Sequence, residues 1–483
     1  MLNFIKSRNL YIAFLFVTAC LFFGLSNCFT GWFLFLPVFL IIDEFRLRFV
    51  WIAGGLYGIF SYFFYATWLY TFSKTAMAGV SVLYFFYWSI LFVLLKIIRC
   101  YFSKIQLILE IVLILCFEII KASGFIGFSY GVCGYTQYQN LYLIQISDIL
   151  SVYSVSFILI FCSALSAECF GKEWRNKIQK NKWWIIIFFA LIIVYYVYGF
   201  IKIEYCKKIE NKSEKLTVAA IQNNSDPWKS GFNNYKKTVN RLMILTDKAL
   251  NECDSIDFVV WPETAVVPSI LKHYEGNDER RRELVNSILN YIDSKKQVFL
   301  IGNFNSVGNK DYNSAFVFIP KKNVLPPKPY HYEKQHLVPF TEYFPYKNTF
   351  PWIYELLLKG DTHLWEPGKD SVVFDVNGFK FSAPICFEDN FTGLNRTFVK
   401  KGASAFFSLS NDAWSKSKKC QIQHLKMGVF RSVENHIPSV RCTVSGETCI
   451  INSYGRIEAR LKPFEENILI GKISKLAMQK KII

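Results

Sequence analysis

Along the first 205 residues the apolar positions run together in long stretches with short polar breaks between them. A bilayer core about 30 Å thick needs ~20 mostly apolar helical residues. Seven stretches approach or exceed that length: 10–26, 28–42, 49–72, 78–98, 105–122, 146–169 and 183–204. They predict seven spanning helices. From about residue 215 the pattern changes. Short β-branched runs at 216–222, 256–261, 297–302, 315–319, 379–385, 403–409, 439–444 and 449–452 predict strands. Charged, helical stretches at 235–251, 278–294 and 421–435 separate them. Such alternation predicts an α/β layered domain. Runs that are apolar throughout, such as 256–261 and 403–409, predict strands covered on both faces.

Charge sharpens the division. Residues 1–205 hold 15 Lys/Arg and 8 Asp/Glu, whereas 206–483 hold the other 40 and 29. The first part is too poor in charge for a surface in water, and the second has an ordinary soluble composition. With the N-terminus inside, the inner flanks carry Lys6, Arg8, Arg46, Arg48, Lys96, Arg99, Lys104, Lys172, Arg175, Lys177, Lys180 and Lys182. The outer flanks carry only Lys74, Lys121 and Lys202. Positive residues favour the inner side, and an odd number of spans delivers the domain after 205 to the outer face. Val17-Thr18-Ala19-Cys20 looks like a lipoprotein cleavage site, but the apolar run continues past it, so an uncleaved first span is expected. Glu110, Glu118 and Asp148 fall in or near apolar spans, and the first two are expected to face other helices or a headgroup.

The formal charge of +18 comes without any nucleic-acid motif. Attraction to anionic headgroups accounts for it better, so no nucleic-acid partner is expected. Thirteen cysteines without a C-x-x-C pair or a Cys/His cluster at zinc spacing exclude a fully paired disulfide framework and give no metal expectation.

Three places after residue 215 put a reactive residue at or near a strand end. They are Val260-Trp261-Pro262-Glu263, Tyr332-Glu333-Lys334-Gln335 and Ala383-Pro384-Ile385-Cys386-Phe387-Glu388. Each alone has a plain structural reading: a helix cap, a surface lysine, a buried thiol. Together they form a chemically complete set. A thiol needs a base or a positive neighbour to become a nucleophile. Glu263 can take and return its proton, and Lys334 can hold the oxyanion that follows attack. The separations along the chain are too long for spacing alone to prove contact.

These contexts resemble the Glu–Lys–Cys triad of the carbon–nitrogen hydrolase (nitrilase) superfamily, and the whole chain resembles its membrane-bound branch, the apolipoprotein N-acyltransferases. Leu337-Val338-Pro339-Phe340-Thr341-Glu342-Tyr343-Phe344-Pro345, Leu409-Ser410-Asn411-Asp412-Ala413-Trp414, the helix bearing His424, Arg431 and Glu434, and the segment from Phe117-Glu118 to Gly134-Tyr135-Thr136-Gln137 extend the likeness. The resemblance implies an N-terminal multi-span helical domain over 1–205 and an extracytoplasmic αββα sandwich over 206–475. Residues 476–483 would be a short basic tail in place of the eighth span common in that family. By the same resemblance Cys386 is the nucleophile, Glu263 the base and Lys334 the oxyanion partner. Glu342 and Glu388 support them, and Phe387, Trp228 and Trp414 line the substrate. Phe387 stands where tyrosine is usual, Thr341 where glycine is usual, and Ser415-Lys416 where Phe-Gly is usual.

The implied reaction moves an acyl chain from a membrane phospholipid, through a Cys thioester, to the N-terminal amine of a diacylated apolipoprotein. It takes place at the bacterial cytoplasmic membrane, needs no cofactor, and is carried out by a monomer. A membrane-tethered amidase or nitrilase and a non-catalytic lipoprotein-binding relative are the alternatives. A transporter is disfavoured by the lack of intramembrane charge pairs and broken-helix signals in the sequence. Phe350-Pro351-Trp352-Ile353-Tyr354-Glu355-Leu356-Leu357-Leu358 is oddly apolar for an outer loop and is expected either to enter the membrane interface or to pack on its own domain.

Overall fold

A computed structural model describes residues 2–72, 74–171, 173–359 and 364–476. The chain divides into two compact units, 1–204 and 205–483. The terminal tail expected at 476–483 lies outside the described residues, apart from its first position.

The first unit is helical. Leu47–Tyr65, Lys74–Tyr101, Val152–Cys169 and Lys182–Lys212 are, among the described residues, long and apolar enough to cross a membrane. Leu2–Gly24 and Gln106–Lys121 are further apolar helices. The stretch 28–42 is not one helix. Thr30–Phe33 is a 3-10 turn, and the α-helix Leu36–Glu44 has only nine residues, with proline in its first turn. Nine residues rise about 14 Å, which is half of a bilayer core. The start of the expected 146–169 span also breaks. Ser151 takes φ +62 between two short turns and the helix that begins at Val152.

Helices Leu47–Tyr65 and Lys74–Tyr101 approach closely because glycines face the contact. A Cβ on Gly54 would lie 2.5 Å from the Trp88 carbonyl, and one on Gly58 would lie 2.3 Å from that of Tyr84. This is small-x-x-x-small packing, which lets two backbones meet where apolar burial gives no net drive. Glu110 and Glu118 are turned inward as expected, but, against the expectation of no intramembrane charge pairs, the acidic residues of this unit are ion-paired. Glu110 pairs with Arg99 at 2.7 Å, and Glu118 accepts the Cys133 N–H at 2.8 Å with Lys121 at 3.6 Å. Asp148 pairs with Lys202 at 2.7 Å.

Among the described residues the second unit holds twelve strands: β1 Lys215–Gln222, β2 Phe258–Val266, β3 Val298–Val307, β4 Lys310–Phe318, β5 Tyr330–Glu333, β6 Phe374–Val376, β7 Phe379–Phe381, β8 Phe406–Ser410, β9 Ser439–Thr443, β10 Cys449–Ile451, β11 Ile457–Arg460 and β12 Asn467–Ser474. A six-stranded sheet has the order β12-β1-β2-β3-β4-β5, and a four-stranded sheet has β11-β10-β9-β8. The two pack face to face over a core containing Val218, Val260, Leu300, Val317, Phe407 and Val440. Helices Phe232–Glu252 and Glu279–Asp293 cover the other face of the larger sheet through Leu242, Leu245, Val285 and Ile288 against Ile221, Trp261 and Phe299. This is the expected αββα sandwich.

Strand limits differ from the sequence reading for local reasons. The run 379–385 is β-paired only to Phe381, then touches β8 through single bridges at Ser382 and Ile385. Pro384 cannot donate to a ladder there. Residues 467–474, to which the sequence reading assigns no element, form β12 and pair with β1 along its whole length. All thirteen cysteines are free thiols.

Candidate active site

The chemistry gathers at the C-terminal ends of parallel strands. β1, β2 and β3 run parallel in one sheet, and β8 and β9 do so in the other. Loops leave these ends, so side chains there are presented without breaking the core.

Glu263 is aimed by an irregularity. Trp261 packs on the outer helical layer, and strict alternation would send Glu263 the same way. The β2–β3 register shifts between Trp261 and Val266, and Thr264 takes φ +46. This bulge turns Glu263 toward the inner face of β4, whose Ala315 and Val317 lie in the inter-sheet core. There Glu263 Oε1 accepts Asn313 Nδ2 at 2.8 Å, and Oε2 accepts the Asn411 N–H at 2.7 Å. Gly302 makes room for the bulge, since a Cβ there would sit 2.2 Å from the Pro262 carbonyl.

Lys334 extends β5 by one residue. Its N–H donates to the Asn313 carbonyl at 2.8 Å, and the two-residue period gives it the inward direction of the buried Tyr332. Its ammonium donates to Glu263 Oε1 at 3.1 Å and to Glu342 Oε1 at 2.9 Å, with no exposure of the lysine side chain. Burial opposes the charge, but Glu263, Glu342 and Cys386 outweigh it and hold the lysine well above its usual range. Glu342 is itself held by the Val338 N–H at 2.7 Å.

Cys386 opens the 3-10 turn Cys386–Asn390 at φ +51, a left-handed conformation that costs a non-glycine residue ~1 kcal/mol or more. Two side chains hold it there. Glu388 accepts Tyr332 Oη at 2.6 Å, the Gln335 and His336 N–H groups at 2.7 and 3.2 Å, and the Ile385 N–H at 2.7 Å. It therefore ties the lysine loop to the cysteine turn. Burial pushes its carboxyl up to about 7, against the pull of those four donors. His424 Nε2 lies 2.9 Å from the Cys386 carbonyl oxygen. The thiol is raised well above its ordinary value by burial first and Glu263 next, with Lys334 opposing. At neutral pH it rests as a thiol.

Beneath Cys386 lies a second charged network. His424 Nδ1 is 2.8 Å from Asp412 Oδ1, and Arg441 bonds both Asp412 Oδ2 at 3.2 Å and Asp389 Oδ2. Burial opposes ionisation of Asp412, yet His424 and Arg441 hold it down at about 2. Donor atoms of Cys386, Asp412 and His424 lie within 4.8 Å of one another, a set that by residue type suits a metal ion. As arranged, however, both His424 nitrogens are turned to oxygen atoms within the protein, so the cluster is a hydrogen-bond network.

Glu263, Lys334, Glu342, Glu388 and Cys386 are thus brought together. Phe387 is 8 % exposed and meets Phe391 edge-on, and Phe391 stacks on His336 at 3.9 Å, which makes an aromatic wall beside the thiol. Trp414 lies on the 3-10 turn after β8, and Trp228 on the loop after β1, where it is 44 % exposed rather than part of the buried set. Lys416 holds φ +47, a conformation that glycine adopts at no steric cost. Asn313 was missed because it lies in the polar half of β4, ahead of the run that read as a strand. The Asp389–Arg441 pair was missed because only the fold joins residues so far apart.

A model of carbon–nitrogen hydrolases matches residues 217–481, and one of the apolipoprotein N-acyltransferase N-terminal domain matches 12–165. The chain is 39% identical to apolipoprotein N-acyltransferase 1 of Treponema denticola, over 91% of this chain and 84% of that one. It is 36% identical to apolipoprotein N-acyltransferase 1 of Treponema pallidum, over 90% and 83%. It is 32% identical to the apolipoprotein N-acyltransferase of Borreliella burgdorferi, over 73% and 66%. The buried Glu–Lys–Cys centre on a two-sheet sandwich, the apolar helices before it and these likenesses agree: the chain belongs to the apolipoprotein N-acyltransferase family.

Proposed function

We propose that this chain transfers an acyl group from a membrane phospholipid to the N-terminal amine of a diacylated apolipoprotein, with Cys386 as nucleophile, Glu263 as proton carrier and Lys334 as oxyanion partner. The observation that carries the reading is the convergence of Glu263 and Glu342 on the buried Lys334 ammonium, in one hydrogen-bonded set beside the Cys386 thiol. Since the thiol rests protonated, Glu263 takes its proton as sulfur attacks the ester carbonyl. Two of the three Lys334 N–H groups face carboxylates, and the third is left for the oxyanion, alongside a backbone N–H. The C–O bond breaks, Glu263 returns the proton to the departing lysophospholipid oxygen, and the acyl group remains as a thioester. The acceptor amine then attacks the thioester, its proton passes by way of Glu263 to the leaving sulfur, and the amide is released with the thiol restored.

Both substrates keep their chains in the bilayer, so the centre has to open at its surface. The apolar helix Pro351–Leu358 supports that arrangement. None of its residues is buried, and Trp352, Leu356 and Leu358 are 65, 63 and 52 % exposed. Packing on its own domain would have covered them. We read it as an element that enters the membrane interface and guides acyl chains. The bias of Lys and Arg favours the outer face of the cytoplasmic membrane for the second unit on a count of seven crossings, in which stretch 28–42 counts as one although its α-helix has only nine residues.

The test is incubation of the purified full chain with phospholipid and a diacylated lipopeptide, followed by mass spectra of both polypeptides. An acyl adduct on Cys386 and one added acyl chain on the peptide amine are expected. Cys386→Ala that acylates like the parent overturns the reading, and free fatty acid without peptide acylation favours hydrolysis. Orientation has its own reporter. Of the six cysteines after residue 205, Cys253 alone is not buried. An impermeant thiol reagent should label it on intact spheroplasts, and labelling only after lysis would reverse the topology.

A further inference from the structure

Cys386 is held in its left-handed turn by a contact to its backbone, and the group making that contact sits inside a complete charge network. His424 Nε2 is 2.9 Å from the Cys386 carbonyl oxygen, an atom that can only accept. His424 Nδ1 is 2.8 Å from Asp412 Oδ1, and Arg441 faces both Asp412 and Asp389. Asp389 Oδ2 stands 3.5 Å from the same Nε2, and Ser408 Oγ donates to the Asp389 carboxylate at 3.2 Å. Two carboxylates and one guanidinium thus converge around the His424 ring. All four side chains are at least nine-tenths buried.

We propose that His424 is a positioning residue for the acyl-transfer reaction: its Nε2–H clamps the Cys386 carbonyl and thereby fixes the peptide plane that presents the nucleophile. A trans peptide points its C=O and the following N–H in opposite directions. Pinning the carbonyl on the His424 side therefore turns the Phe387 N–H away from His424. Phe387 N–H belongs to the first positions of a 3-10 turn, where N–H groups have no intrahelical acceptor. It is thus available as the backbone donor that joins Lys334 at the oxyanion. His424 is not the base, because its ring nitrogen faces the carbonyl with a proton and is already committed.

This inference deepens the reading of Cys386 as nucleophile and rests on it. The experiment compares His424→Asn with His424→Gln in the full chain, in phospholipid vesicles. Single-turnover formation of the Cys386 acyl thioester is followed by intact mass. The asparagine amide reproduces the Nδ1 position and keeps a donor toward Asp412, but it does not reach the Cys386 carbonyl. The glutamine amide N–H reaches the Nε2 position. His424→Asn is expected to slow thioester formation at least 100-fold with the phospholipid KM within twofold. His424→Gln is expected to recover the rate to within tenfold of the parent.

Equal rates for the two variants, fast or slow, overturn the clamp. No thioester on the parent chain overturns the assignment of Cys386 itself, which separates the two failures. A measurement on the parent needs no variant to fold: with nitrogen-15 histidine, the Nε2–H proton of His424 should appear as a solvent-protected signal. A non-protonated Nε2 in that spectrum refutes the proposal.

Discussion

Glu263→Gln separates proton transfer from binding. In the parent, Oε1 accepts from Asn313 and Lys334, and Oε2 accepts from the Asn411 N–H. A glutamine keeps one acceptor oxygen but replaces the other with an NH2. In either orientation an N–H then faces another donor, which costs about 1–3 kcal/mol in a buried site. Lys334 also loses one of its two carboxylates, although Glu342 remains at 2.9 Å. The combined destabilisation is therefore about 2–4 kcal/mol, and the fold should survive it. The chemical effect is larger. A positioned general base is worth 10²–10⁴ in rate, and a loss of ~10³ corresponds to about 4 kcal/mol of barrier. The assay is quenched single-turnover acylation read by intact mass, with thermal unfolding measured on the same preparation. Acylation should slow ~10³-fold while the phospholipid KM stays within twofold. A folded Glu263→Gln chain that forms the Cys386 thioester at the parent rate refutes Glu263 as the proton carrier.

The remaining predictions concern the supports around that centre. Glu388→Ala strands the Tyr332 hydroxyl and three backbone N–H groups, so unfolding should be easier by about 3–6 kcal/mol. A thermal midpoint unchanged from the parent would show that the lysine loop and cysteine turn are not joined through it. Arg441→Met leaves Asp389 and Asp412 buried without their shared cation, at a cost of about 3–5 kcal/mol, measurable as loss of folded yield and midpoint. Asp412 titrates at about 2 when folded, against 3.8 ordinarily. A lowered folded value stabilises above the ordinary one and is lost as pH falls through the folded one. About 2 kcal/mol should therefore disappear between pH 4 and pH 2, and the stability gap between parent and Asp412→Asn should be flat above pH 4 and shrink below it. Gly58→Leu places a side chain where the Tyr84 carbonyl already sits, so the first unit should fail to assemble, seen as protease sensitivity in membranes.

Much of the site was legible because its parts are local. An apolar strand followed by Pro262-Glu263, a cysteine after Pro384-Ile385 and the Lys334 segment each carry their signal within a few residues. Distances between them were not legible. Separations of 71 residues from Glu263 to Lys334 and 52 from Lys334 to Cys386 close only when β2 to β5 form one sheet and the segment before Cys386 bridges to β8 of the sheet facing it. The direction of Glu263 was hidden as well, since alternation from Trp261 points it the wrong way and the register shift corrects it. The spans were legible in kind and less so in extent. Hydropathy finds the apolar stretch 28–42, but the proline in the first turn of Leu36–Glu44 divides it.

The two-part organisation, the apolar helices, the layered α/β class and the identity of the reactive side chains are all readable from the residues in order. Each of these depends on composition or short-range periodicity, which any window of the chain displays. Tertiary structure alone decided which polar residues meet. It set Asn313 and Asn411 on Glu263, Glu388 between Lys334 and Cys386, and Asp389, Asp412, Arg441 and His424 beneath the nucleophile. Burial makes those meetings matter, because a charge without a partner in the interior costs several kcal/mol. Partners for such charges come from distant strands, and no local pattern announces them.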